Sequence, residues 1–136
     1  MLLSTLNRKE KLKFLDLALL MVSVDGEPTE FEQRLLNMMV AEVGDGIVKE
    51  YHFSLSQSLE ETLQFFDQCS QSVKKICYFN LLRLIMSDDF YNTVEHYFLE
   101  DVRERFSITE FKKKQLMRLV YMERDLKERA KRLVNF

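Results

Sequence analysis

The sequence is poor in residues that break or staple a chain: 136 residues contain three glycines, one proline, two cysteines, two histidines and no tryptophan. So few turn formers exclude a collagen-like, low-complexity or disordered chain. They also argue against an all-β domain, whose frequent turns need such residues. Cys69 and Cys77 stand eight positions apart without CxxC spacing, which removes a disulfide framework and the usual zinc and dithiol patterns. Both read as small apolar residues of the core or its boundary. A long apolar run is missing as well, since the stretch from Phe14 to Val24 is short and interrupted by Asp16, against the roughly 20 apolar residues of a membrane-spanning helix. The same stretch lacks the small-residue cleavage site of a signal peptide, so a soluble, cytoplasmic protein is expected. What remains is 46% hydrophobic and 31% charged, sufficient for one domain that folds without disulfide or structural metal.

Catalytic signatures are equally sparse. Neither His52 nor His96 sits in HExxH or ExxH, and there is no Gly-rich phosphate loop, GxSxG or Cys–His–Asn spacing, so an enzyme is not expected. His96 and Glu100, four apart on a helix, read as a surface salt bridge. Charge is present but divided. Residues 1–102 hold 9 basic and 17 acidic side chains (net −8), and residues 103–136 hold 11 and 5 (net +6).

Apolar spacing of three and four places a helix over Leu12–Val24, ended by Asp25-Gly26. A second runs over Thr29–Val43, started by Pro28 and acidic first-turn residues, with Leu35, Leu36, Met38, Met39 and Val43 on a broad buried face. Gly44-Asp45-Gly46 stops it, and Ile47 to Ser56 is irregular or forms a short helix. Ser58 with Glu61 is a capping box for a third helix reaching about Cys69. Val73–Met86 is apolar nearly all round apart from Asn80, which marks a central helix. A fifth covers Thr93–Phe106, and Ser107 with Glu110 offers another capping box. The last, basic helix spans residues 109–134; over Thr109–Leu133 it is ~37 Å long at ~1.5 Å per residue, so part of it must protrude or bind something. The expected architecture is an all-α, single-domain bundle of about six helices occupying residues 1–136. Met21, Met38, Met39, Met86, Met117 and Met122 read as core filler.

An acidic pattern repeats. Asp25 precedes Glu32 by seven residues and Asp88 precedes Glu95 by seven, and Leu35-Leu36 and Phe98-Leu99 follow at matching places. Two pseudo-symmetric helical hairpins follow from this, and two readings of the acids stay open. In one, each Glu accepts bonds from free backbone N–H groups of its turn, with the Asp capping or orienting it. In the other, Asp25, Glu32, Asp88 and Glu95 converge on a divalent cation, calcium or magnesium, through oxygen ligands. An EF-hand is excluded, because Met21, Pro28, Leu84 and Met86 would fall at places of the loop where they do not fit.

The segment Leu17-Ala18-Leu19-Leu20-Met21-Val22-Ser23-Val24-Asp25-Gly26-Glu27-Pro28-Thr29-Glu30-Phe31-Glu32 resembles the signature hairpin of the TerB-like, tellurite-resistance family, with an apolar helix ending in Asp-Gly and a Glu seven residues after the Asp. Leu82 to Leu99 is similar to the family's second hairpin, so the resemblance covers about residues 10–120. It implies an all-helical bundle with internal pseudo-symmetry and a clustered acidic surface that holds metal. It also implies a role in stress-response or phage-resistance systems assembled at membrane proteins. Asp89 departs from it, standing where the second turn would carry glycine.

The basic helix reads as a solvated face, led by Lys112, Lys113, Lys114 and Arg118, above Phe111, Leu116, Leu119, Met122, Leu126 and Leu133 packed inward. Those four basic residues are the candidate contacts for a protein partner or an acidic or membrane surface. Nucleic acid is not expected, because the net −8 body repels phosphates. The function expected is a non-catalytic interaction module; the alternative is a carboxylate-based metal-dependent enzyme or metal sensor.

Overall fold

Helix starts in this chain are written in side-chain caps. The Glu10 N–H donates to Asn7 Oδ1 (2.9 Å) and the Asn7 N–H donates to Glu10 Oε1 (2.8 Å), a reciprocal box that satisfies two orphan donors. It opens α1 (Arg8–Val22) one turn before the apolar periodicity begins. The computed structural model describes the chain except for Asp25, Glu27, residues 52–56 and 87–92, Phe136, and the side chains of Asp45 and Val48. Within the described residues α1 is followed by α2 (Glu30–Val43), α3 (Asp45–Glu50), α4 (Leu59–Asp67), α5 (Gln71–Ile85), α6 (Thr93–Arg105) and α7 (Glu110–Asn135), with a 3-10 turn at Leu3–Thr5 and no strand.

The expected all-α bundle is therefore present, and its boundaries differ in instructive ways. Ser58 caps α4 by accepting from the Glu61 N–H at 3.2 Å, but only this half of the expected box forms. Before α7 the cap is Thr109, whose Oγ1 accepts from the Lys112 N–H at 3.1 Å, not the expected Ser107. Ser107 instead holds a left-handed φ of 57° in the turn that ends α6. There the Ile108 N–H donates to the Arg103 carbonyl and the Ser107 N–H to that of Glu104, a Schellman arrangement built without glycine.

α5 is the central helix, packing on α1, α6, α7 and α2, while α1 also meets α4, α2 and α6. Cys77 to Ile85 are buried without interruption. Ile76, expected among them, is half-buried. Phe14, Leu17, Met21, Phe66, Tyr78, Leu81, Leu84 and Phe106 form the middle of the core, each apolar side chain contributing roughly 1.5–3 kcal/mol by leaving water. The Phe66 and Phe106 rings meet at 5.4 Å and join α4 to the end of α6. Asp16, which interrupts the apolar run of α1, accepts from the Tyr51 hydroxyl at 2.9 Å. Burial first, then the Asp16 charge, pushes the Tyr51 phenol pKa upward.

Two expectations about side chains fail. Met38 and Met122 are exposed rather than core filler, whereas Met21, Met39 and Met86 are buried. On α7 only Leu116, Met117 and Val120 reach the core; Phe111, Leu119, Met122, Leu126 and Leu133 face solvent. Periodicity places apolar residues on a common face but does not say which of two such faces the bundle covers. At 26 residues α7 is ~39 Å long, and from Tyr121 to Asn135 all but Glu123 is exposed. The expected protrusion is present.

Candidate functional site

Glu32 and Glu95 are each the third residue of their helix, α2 and α6. For the two glutamates, the repeat seen in the sequence is thus a repeat of structural position. Both are buried, at 4% and 6% exposure. At the first hairpin the Thr29 N–H donates to Glu32 Oε1 (3.0 Å) and the Glu32 N–H donates to Thr29 Oγ1 (3.1 Å). This capping box is the reciprocal turn bonding expected of the structural reading. Glu32 Oε2 is buried and has no hydrogen-bond partner among the described residues. Asp25 and Asp88, the other two of the proposed quartet, lie outside the described residues. Among those described, no group of three or more His, Cys, Asp or Glu side chains is arranged to hold a metal ion.

A second site was not legible in the sequence. Between α2 and α7 runs a groove of about 360 Å³. Its apolar lining is Phe31, Leu35, Met38, Met86 and Val120, and its charged lining holds five cations, Arg34, Arg83, Arg124, Lys127 and Lys131, against Glu123 and Glu128. Met38 is 56% exposed on its wall, and the Arg34 guanidinium stands 5.9 Å from the Phe31 ring centre. The signal that could have found it is the width of the apolar face of α2. Phe31, Leu35 and Met38 recur at four and three, beside the buried row Leu36, Met39, Val40 and Val43; that is more apolar surface than one contact with the bundle needs.

The groove is fixed by a polar relay through the centre of the molecule. Arg83 donates from Nε and Nη2 to the two Glu123 carboxylate oxygens (3.0 and 2.7 Å) and from Nη1 to Asn80 Oδ1 (2.9 Å). Asn80 Nδ2 donates in turn to the carbonyls of Ile76 and Met1, each at 2.8 Å. Burial alone would raise the Glu123 carboxyl, but the hydrogen bonds and charge of Arg83, joined by Lys127, outweigh it and hold it below its ordinary value.

The four basic residues singled out from the sequence separate. Lys113 Nζ donates to Glu100 Oε1 at 2.6 Å, and Arg103 holds the other oxygen of Glu100 at 2.8 and 2.9 Å, so Lys113 ties α7 to α6. Lys114 and Arg118 are exposed and Lys112 half-exposed. Glu100, expected to pair with His96, is thus engaged by two other cations. His96 lies edge-on to Tyr97, ring centres 5.8 Å apart, and His52 falls outside the described residues. Cys77 is buried and Cys69 half-buried, and desolvation raises both thiol pKa values. Neither thiol is poised as a nucleophile.

No helix among the described residues is long and apolar enough to cross a membrane. The class these features define is an all-α helical bundle with a protruding basic helix. Comparison with protein-family models, curated proteins and solved structures finds no match to this chain.

Proposed function

We propose that the chain is a non-catalytic interaction module of the TerB-like kind, one that couples a bacterial tellurite-resistance, stress-response or phage-defence system to a protein partner in the cytoplasm. The observation that carries this reading is the α2–α7 groove, with exposed Phe31 and Met38 beneath a rim of cations in excess over carboxylates. Such a surface suits the apolar face of an acidic amphipathic helix, whose side chains enter the groove while its carboxylates meet the rim. Lys112, Lys114 and Arg118 add positive charge to the first half of α7, outside the groove, and would serve an acidic protein or membrane surface. Nucleic acid is disfavoured by the net −8 of residues 1–102. The test is co-purification from the source cell with the chain and with Met38→Glu. An acidic protein retained by the first and lost by the second supports the reading, and equal retention overturns it.

A second reading rests on Glu32 Oε2, buried without a hydrogen-bond partner among the described residues. In it Asp25, Glu32, Asp88 and Glu95 supply oxygen ligands to calcium or magnesium, and the protein is a metal sensor or a carboxylate-based metal-dependent enzyme. Binding to the native state alone raises the melting midpoint. A thermal melt with and without calcium, magnesium, manganese and zinc therefore separates the readings; no shift at millimolar metal favours the interaction module.

A further inference from the structure

α7 has two apolar faces and the bundle uses one of them. Leu116, Met117 and Val120 pack on the core. Leu119, Met122, Leu126, Ala130 and Leu133 are all exposed, with Leu126 at 68% and Leu133 at 80%. At ~100° per residue these five fall within about 80° of one another around the helix axis. Leu119, Leu126 and Leu133 repeat every seventh residue with Met122 between the first two, the spacing of a helix-pairing seam.

We infer that two copies of the chain pair through this stripe as antiparallel helices, with Leu126 at the two-fold axis. The charges flanking Leu126 select this occupant. Residues 123–129 read Glu-Arg-Asp-Leu-Lys-Glu-Arg, so every charge on one side of Leu126 meets the opposite sign at the same distance on the other. Of these, Glu123, Arg124, Lys127 and Glu128 turn toward the α2–α7 groove that they line, which leaves Asp125 and Arg129 on the other flank of the stripe; in an antiparallel copy Leu119 of one chain stands level with Leu133 of the second. Asp125 and Arg129 of the second copy lie on the same side of the seam and differ by two residues in level, ~3 Å. Both residues are exposed, and neither has an ion-pair partner among the described residues. A parallel pair would instead set Arg129 against Arg129 of the second copy within the seam and bring the two acidic bodies, net −4 each over residues 1–120, side by side. The antiparallel pair keeps the bodies at opposite ends and carries Lys131 and Arg132 of each helix toward the acidic body of the other. A seam this short buries less than the ~1,200–2,000 Å² of a standard stable interface, so the dimer forms in the micromolar range and depends on concentration.

Sedimentation velocity of the full chain from ~5 to ~500 µM tests this, the range bracketing a micromolar dissociation constant. The expected result is a monomer that converts to a dimer as concentration rises. Leu126→Glu weakens the dimer at least about tenfold, as expected for a charge placed in an apolar seam, with an unchanged melting curve at monomer concentrations because Leu126 is not part of the core. Asp125→Arg and Arg129→Asp each weaken it about fivefold, and the double reversal Asp125→Arg/Arg129→Asp restores it, since the interacting pair is re-formed with its signs exchanged. A monomer at every concentration, or a dimer indifferent to Leu126→Glu, overturns the proposal. Loss of the dimer in the single reversals without recovery in the double one overturns the antiparallel register.

Discussion

Removing the Glu123 carboxylate should cost far more than an ordinary surface mutation. Its partner Arg83 keeps only 9% of its side chain exposed and Glu123 itself 19%; the pair is bidentate and charge-assisted at both oxygens. In Glu123→Ala the guanidinium stays buried, with Asn80 Oδ1 as its remaining acceptor among the bonds described above. Stranding a fully buried charge costs about 3–5 kcal/mol. Because a fifth of Glu123 reaches solvent, water can take its place in part, and ~2 kcal/mol is the better figure. For a chain of this size that lowers Tm by about 6–8 °C. Urea or thermal denaturation of Glu123→Ala, Arg83→Met and the double variant gives the coupling energy directly. It should be ~2 kcal/mol at pH 7 if this pair holds α7 on α5. Since the folded carboxyl titrates below its ordinary value of 4.5, the coupling is complete above that value and fades as pH falls through the lower, folded one. A coupling below about 0.5 kcal/mol at neutral pH would place the pair with weak surface bridges and refute the reasoning.

How much of this was legible in the sequence depends on the kind of signal. Helices with an apolar stripe and a cap, such as α2 with Thr29 and Glu32, fall where the pattern puts them. α1 starts a turn early because its opening signal, Asn7 with Glu10, sits in a charged run where no apolar residue marks the register. The equal spacing of Glu32 and Glu95 was readable because helix geometry converts it directly into a shared third position and equal burial. The orientation of α7 was not. Leu116 and Val120 form one apolar face, Leu119, Leu126 and Leu133 another, and only the neighbouring α5 decides which is covered. The groove shares that origin: Met38 and Val120 line it together though they lie far apart in sequence, and periodicity reports single helices, not pairs of them.

Three further outcomes are expected. Stability should fall on acidification below the ordinary carboxylate value of 4.5, because burial, which would raise Glu100, is outweighed by Arg103 and Lys113 and its folded pKa is lowered. The unfolded chain then binds the extra proton, and Glu100→Gln should flatten this dependence in a pH series of melts. Ser107→Gly should stabilise by about 0.5–1 kcal/mol, since Ser107 holds φ 57° at the end of α6 where glycine lacks the Cβ penalty; a loss of stability in chemical denaturation would contradict the Schellman assignment. The sign of the change in Glu32→Ala then decides between the two acidic readings. If Glu32 acts as a cap, Ala removes its bond from the Thr29 N–H and costs on the order of 1 kcal/mol, in chelator and in calcium alike. If Asp25, Glu32, Asp88 and Glu95 share one metal site, the metal-free protein carries four repelling carboxylates, so Ala at position 32 stabilises it in chelator and abolishes any calcium-induced rise in Tm. The reciprocal bonds between Thr29 and Glu32 already engage one carboxylate oxygen, and on that ground the destabilising sign is expected.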